Sequence, residues 1–150
     1  NGYSLARKLF FEVGGYRVDS FIEELGAKVS DVLLQRHESF LPLLDRFLDS
    51  GIIKGLAHIT GGGFLENIPR ILPENTAVTI NRGSWTEPPV YGLMQKIGNV
   101  QDSEMFRTFN MGVGMALFCD PDHAPLIIES VAGATQIGSV IEGNGKVSVI

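Results

Sequence analysis

Apolar residues return at helical spacing from the start of the chain. Leu5, Leu9 and Val13, with Phe10 alongside, share one face, and Gly14-Gly15 ends the pattern, so a helix is expected over about 3–13. A short helix around 20–25 is expected to follow Asp19, and residues 29–34 are compatible with either helix or extended chain. Phe40, Leu41, Leu43, Leu44, Phe47 and Leu48 form a wide apolar face. With Pro42 suited to a first turn and Gly51 to a stop, residues 38–50 read as a helix. The run 52–59 reads as a strand that empties into Gly61-Gly62-Gly63 and then a short helix ending near Leu72, with Pro69 in the first turn of that helix or at a kink in it.

Alternation over 77–80 predicts a strand, 89–97 a helix stopped by Gly98-Asn99, and Asp102 or Ser103 a cap for a brief helix carrying Glu104 and Met105. A strand over 113–119, a helix over 121–132, a strand over 135–141, a turn at Gly143-Asn144-Gly145 and a final strand over 147–150 complete the reading. There is no internal repeat, low-complexity tract or linker. Helices interleaved among strands in 150 residues fit one α/β or α+β domain with a full hydrophobic core.

Composition narrows the function classes. Apolar residues make up 44% and charged ones 19%, and no apolar run approaches the roughly 18 residues that a membrane helix needs. The net charge is −5 and the twelve Lys and Arg are scattered, which argues against a general nucleic-acid surface. The single cysteine, Cys119, follows an apolar run and reads as a buried structural thiol, because one thiol builds neither a disulfide nor a cysteine metal site.

The candidate chemistry centres on residues 55–70. Glycines can bring bare backbone N–H groups up to an anion, and a helix starting behind them adds further donors, so Thr60, Gly61, Gly62 and Gly63 can cradle a phosphate or simply make a flexible turn. Asn67 adds amide donors and an acceptor. His58, at the end of its strand, can donate to a phosphate, move a proton, or serve as a hydrogen-bonded structural residue. Glu66 and Arg70 are spaced for an i,i+4 ion pair, and Glu104 with Arg107 for a surface pair. Asn110 opens an Asn-Met-Gly turn from which its short amide can face a cleft, whereas Met111 and Met115 suit core packing. Asn1, Gly2, Tyr3 and Ser4 at a helix start can bind an anion or cap the helix, and Trp85 with Pro88 and Pro89 suits a rigid packed loop.

Five separated motifs stand in one order: Asn1-Gly2-Tyr3-Ser4-Leu5, then Gly55-Leu56-Ala57-His58-Ile59-Thr60-Gly61-Gly62-Gly63, then Glu66-Asn67-Ile68-Pro69-Arg70, then Ser84-Trp85 with Pro88-Pro89, and Glu104-Met105 through Arg107-Thr108-Phe109-Asn110-Met111-Gly112. Together they resemble the phosphoribosylformylglycinamidine cyclo-ligases, or aminoimidazole ribonucleotide synthetases, from residue 1 to about 118. The resemblance implies an α+β domain with a mixed β-sheet covered by helices. It also implies that the chain is the C-terminal half of a cytoplasmic, homodimeric ligase of purine biosynthesis. An N-terminal domain ahead of Asn1 would supply most of the ATP and Mg site and the dimer interface. ATP would activate the formyl-amide oxygen of formylglycinamidine ribonucleotide, and an internal nitrogen would then displace phosphate and close the imidazole ring. Asn1, Gly2, Tyr3, Ser4, Thr60, Gly61, Gly62, Gly63, Asn67 and Asn110 become substrate or phosphate contacts on this reading, and His58 the catalytic candidate. The chain alone is expected to fold but not to turn over.

One segment departs from the pattern. Where the resembled enzymes commonly carry Leu-Leu-x-Pro-Thr/His-Arg-x-Tyr, residues 33–40 have Arg36 for the proline, Glu38 for the basic residue and Phe40 for the tyrosine, while His37 stands where some relatives have His. The departure makes a non-catalytic phosphate-binding or assembly domain an alternative, and a selenophosphate-forming or amidoligase relative that keeps the glycine loop is another.

Overall fold

In the two central strands, alternate residues face two different cores. The computed structural model describes residues 1–150. In it β3 (Ile53–His58) pairs antiparallel with β5 (Met115–Cys119), Leu56 opposite Leu117 and Ala57 opposite Ala116. Met115, Leu117 and Cys119 pack on a small cluster of Leu44, Phe47, Ile127 and Val131, whereas Ala57, Ala116 and Phe118 belong to the main core. That two-residue period is what a pleated strand imposes when both faces are covered.

The small cluster is closed by α3 (Leu41–Leu48), with Pro42 in its first turn, and by α7 (Ala124–Ser130), which follows a 3₁₀ turn at Pro121–His123. Over the other face lies a core in which Phe10, Ile59, Phe64, Ile68, Ile80 and Met105 are each essentially inaccessible. It is built from α1 (Tyr3–Arg7), which continues as a wider π-helical segment Lys8–Val13, from α4 (Gly63–Asn67), α5 (Pro89–Gly98) and α6 (Asp102–Thr108), and from β4 (Thr76–Ile80). Burial of a side chain such as Phe64 or Phe10 contributes about 1.5–3 kcal/mol, so this cluster carries most of the stability. α2 (Val29–Leu33) resolves the ambiguous 29–34 stretch as helix.

The expected α+β domain is present, with its strands divided among three small sheets. β6 (Gly138–Glu142) and β7 (Val147–Val149) lie on opposite sides of β4, antiparallel and parallel to it respectively, so this sheet is mixed. The turn between them crosses the start of β4: the Gly143 amide donates to the Asn75 carbonyl at 3.0 Å and the Gly145 amide to Thr76 at 2.7 Å. A side chain at Gly143 would collide with Ala77, and one at Gly138 with the Thr79 carbonyl.

Two local expectations are corrected. Residues 20–25 form no α-helix. Phe21–Ile22 is β1, paired with β2 (Ala27–Lys28) across a 3₁₀ turn at Glu23–Leu25 that Gly26 closes at φ 60°. The amide of Val29 donates to the Ser20 carbonyl, so the backbone partners lie across the turn and not one helical turn away. Nor does Asp102 or Ser103 cap α6. Its cap position is Gln101, whose carbonyl accepts from Glu104 and Met105.

Asp102 instead joins a network at the end of β4. Arg82 pairs with Glu87 at 2.9 Å and with Asp102 at 3.1 Å, and its guanidinium lies 5.1 Å from the Phe106 ring centre. The Gln95 amide donates to Asp102 at 2.6 Å. Together Gln95 and, secondarily, Arg82 hold the Asp102 carboxyl below the ordinary carboxylate range. A carboxyl lowered by folding adds stability above its unfolded value, and that stability is lost as pH falls through the lowered one. Asp102→Asn should therefore flatten the decline of urea midpoints between about pH 5 and pH 2, and an unchanged slope would count against the network.

Gly138 is not held at positive φ, so its replacement tests sterics alone. Gly138→Ala should cost about 1–3 kcal/mol, read as a lowered urea midpoint at constant m-value.

Candidate functional site

The glycine segment is held from inside by one buried side chain. Asn67, 5% exposed, donates through Nδ2 to the carbonyls of Gly63 at 2.8 Å, Gly61 at 3.1 Å and Thr60 at 3.4 Å, while the Thr60 hydroxyl donates to its Oδ1 at 3.2 Å. With those carbonyls turned inward, the amides of Gly61 and Gly62 have no partner within the chain. Gly62 and Gly63 sit at φ 99° and 56°. A Cβ at Gly63 would overlap the Phe106 carbonyl and one at Gly62 would lie 2.7 Å from Glu66 Cβ, whereas Gly61 faces open space. Helix α4 behind the loop has only five residues, so the loop amides, and not a helix terminus, are the available donors.

Around these amides the fold gathers distant parts of the chain. Gly2, Gly61, Gly62, Glu66, Arg107 and Thr108 line one open cavity of about 250 Å³. Gly2 fits at φ 78° because a side chain there would strike the Phe109 ring at 2.5 Å. Glu66, Arg107 and Thr108 are additions that the sequence reading did not assign to the site. Arg107 donates to Glu104 at 2.8 and 3.1 Å, and Thr108 to the other oxygen of Glu104 at 2.9 Å. These hydrogen bonds hold the Glu104 carboxyl below the ordinary range and raise Arg107. Two carboxylates thus surround one guanidinium that is already paired, and the rim does not attract a bare anion by charge.

The remaining candidates lie outside this cavity. Tyr3 donates its hydroxyl to the Leu33 carbonyl at 2.5 Å, and Asn1 and Ser4 are exposed. Neither caps α1, whose cap residue is Gly2 and whose first turn has no side-chain hydrogen bond. Asn110 uses Oδ1 twice, accepting from Tyr91 at 2.7 Å and from the Gly112 amide at 3.0 Å, which leaves its Nδ2 as a free donor. Burial pushes the Tyr91 phenol above its ordinary range, so it remains a donor at neutral pH. Trp85 is packed: its Nε1 donates to the Met111 carbonyl at 2.9 Å and Phe64 meets it edge-on at 5.7 Å.

His58, the last residue of β3, lies on the exposed side with its Nε2 2.8 Å from Nε2 of His37. The expected Glu66–Arg70 pair does not form. The α-helix ends at Asn67 and a 3₁₀ turn, Ile68–Ile71, carries Pro69, so the i,i+4 geometry is lost between them. Cys119 is half-buried and burial raises its thiol. A mostly apolar cleft of about 820 Å³ runs between β5, α7 and β6 and contains none of the predicted site residues.

The family described as AIR synthase related protein, C-terminal domain, matches residues 1–150. A phosphoribosylformylglycinamidine cyclo-ligase of Thermoanaerobacter pseudethanolicus is 44% identical over 151 residues, covering 98% of this chain and 45% of that protein. One from Bifidobacterium longum is 47% identical over 145 residues, 93% of this chain and 42% of the relative, and one from Syntrophotalea carbinolica 41% identical over 141 residues, 94% and 40%. The chain spans under half the length of the curated relatives it matches.

The three glycines make separable demands. Gly63→Ala should lower stability by about 2 kcal/mol or more, because a backbone carbonyl blocks the new methyl. Gly61→Ala should stay within about 0.5 kcal/mol of the parent chain. Urea melts of the two variants check this, and equal losses would mean that the loop is not held as described.

Proposed function

Because the chain belongs to the family of AIR synthase related proteins, whose C-terminal domain it matches throughout, we propose that it supplies the C-terminal half of a phosphoribosylformylglycinamidine cyclo-ligase site. One observation carries the reading. Gly2, Gly61 with Gly62, and Arg107 with Thr108 come from three motifs far apart in sequence, yet they line a single cavity. A turn made only for flexibility has no need of the other two.

The substrate on this reading is formylglycinamidine ribonucleotide and the product aminoimidazole ribonucleotide, with ATP as second substrate. Activation places a phosphoryl group on the formyl-amide oxygen; the attacking nitrogen forms the C–N bond, the C–O bond breaks, and phosphate and a proton leave. The Gly61 and Gly62 amides offer two donors to a phosphate, Asn110 Nδ2 a neutral donor to a polar substrate edge, and His58 a proton acceptor. Asn67 and Tyr91 act through the groups they hold. Because Glu66 and Glu104 outnumber Arg107 at the rim, a phosphate is best accepted when its charge is already offset. On this reading magnesium and most of the ATP site fall to an N-terminal domain. Homodimerisation through that domain and a cytoplasmic location complete the proposal; no helix of the chain is long and apolar enough to cross a membrane. The selenophosphate and non-catalytic alternatives draw no support from the relatives, which are cyclo-ligases by name across the whole matched length.

A chimera tests this directly. Replacing the matching C-terminal half of the Thermoanaerobacter pseudethanolicus cyclo-ligase with this chain should give ATP-dependent formation of aminoimidazole ribonucleotide. Gly61→Val within it should lower kcat/KM by about tenfold without lowering Tm by more than about 2 °C. A folded chimera that makes no product would overturn the proposal.

A further inference from the structure

His37 lies in the segment where the chain departs from its family's common pattern, and it meets the one histidine at the end of β3. The two rings touch Nε2 to Nε2 at 2.8 Å with centroids 4.9 Å apart. That is only about 2 Å more than the nitrogen separation, so the rings meet end to end with their nitrogens aimed at each other. Two ligands of one metal ion would instead converge on a third point. A hydrogen bond satisfies this geometry, and it requires one Nε2 to carry a proton and the other to be bare.

The pair is braced by apolar contact. Phe40 approaches His37 and His58 edge-on, with centroids at 5.9 and 6.1 Å. It can do so because residue 114 is glycine; a Cβ there would overlap the tip of the Phe40 ring. The usual orienting group for a working imidazole is a carboxylate or a carbonyl. Here the only histidine with a carboxylate within 4 Å is His123. Arg36 and Glu38 flank His37 on its own segment, His58 faces Met115 across the β3–β5 register, and no charged group pairs with either ring. Each imidazole is oriented by the other.

We infer that His37 is a positioning residue which, with His58, forms a proton-sharing imidazole dyad, and that the dyad takes up the proton released on ring closure; the second clause rests on the cyclo-ligase reading. With His58 as the donor, its Nδ1 is bare and accepts the proton from the cyclising nitrogen. Its Nε2 proton crosses to Nε2 of His37, and His37 releases its own Nδ1 proton to solvent, to which its side chain is exposed. One proton enters and one leaves, and the pair ends neutral with its tautomers exchanged.

Two measurements test it. In ¹⁵N NMR of the chain in mildly alkaline buffer, one of these imidazoles should carry its proton on Nε2 and the other on Nδ1, with scalar coupling between the two Nε2 nuclei that disappears in His37→Gln. In the chimera, His37→Phe should lower kcat roughly 10–100-fold with KM within about twofold, and His37→Gln, which can still hold the ring, should restore part of kcat. Identical tautomers without coupling, or an unchanged kcat in His37→Phe, would overturn the dyad. A folded but inactive unsubstituted chimera would overturn the cyclo-ligase reading and the base role with it, while an observed coupling would still establish the pair.

Discussion

The buried amide of Asn67 is the interaction on which the candidate site depends. Its Nδ2 meets three carbonyls of the glycine segment and its Oδ1 the Thr60 hydroxyl. The Thr60 carbonyl also accepts from the Gly63 amide at 2.9 Å, so the loop is tied both by its own backbone and by Asn67. The bond does more than stabilise. A peptide plane whose carbonyl is fixed inward has its N–H on the other side, so tying Gly61 and Thr60 from within is what presents the Gly61 and Gly62 amides outward. Structure and binding capacity are two faces of one hydrogen-bond set.

That set is anchored on the core rather than on the surface. Ile59 is fully buried and its amide donates to the Gly114 carbonyl, so the strand pair β3–β5 fixes the entry to the loop. Gly63 fixes the exit, because it packs against the α6 backbone where no side chain fits. The same strand pair sets the imidazoles: His58 closes β3 on the exposed side, and Gly114, just before β5, leaves room for Phe40. A residue whose role is close packing, such as Gly114 against Phe40, thereby positions chemistry on the opposite side of the sheet from the main core.

Much of this was readable from the sequence because the strongest signals are periodic and local. The apolar runs of β3 and β5, the alternation of β4, the face of α3 and the stop at Asn99 all depend on residues within one or two turns of one another. The β1–β2 hairpin escaped because two-residue strands carry no period and the turn signal lay in Gly26 alone. The Glu66–Arg70 pair failed for a related reason: its spacing is meaningful only if the helix persists, and Pro69 changed the pitch between them. Assigning Arg107 and Thr108 to the cavity, or His37 to His58, needed tertiary proximity across 46 and 21 positions, which no local pattern encodes. The altered residues Arg36, Glu38 and Phe40 did mark the surroundings of His37 as unusual, but a changed motif indicates only that something differs and not what it touches.

The electrostatics of the cavity explain why such a site works best as half of a larger one. The free amides of Gly61 and Gly62 and the free Nδ2 of Asn110 lie where water can satisfy them, and donors facing water gain little from exchanging it for an anion. Their strength rises steeply once water is excluded and the effective dielectric falls. The surrounding charge works the other way, since two carboxylates against one paired guanidinium repel an incoming phosphate, and that repulsion also grows in a drier site. Closure by a second surface therefore favours binding only if that surface, or the ligand itself, brings compensating positive charge. This division, with neutral donors on one side and cationic compensation on the other, follows from the residues at the rim.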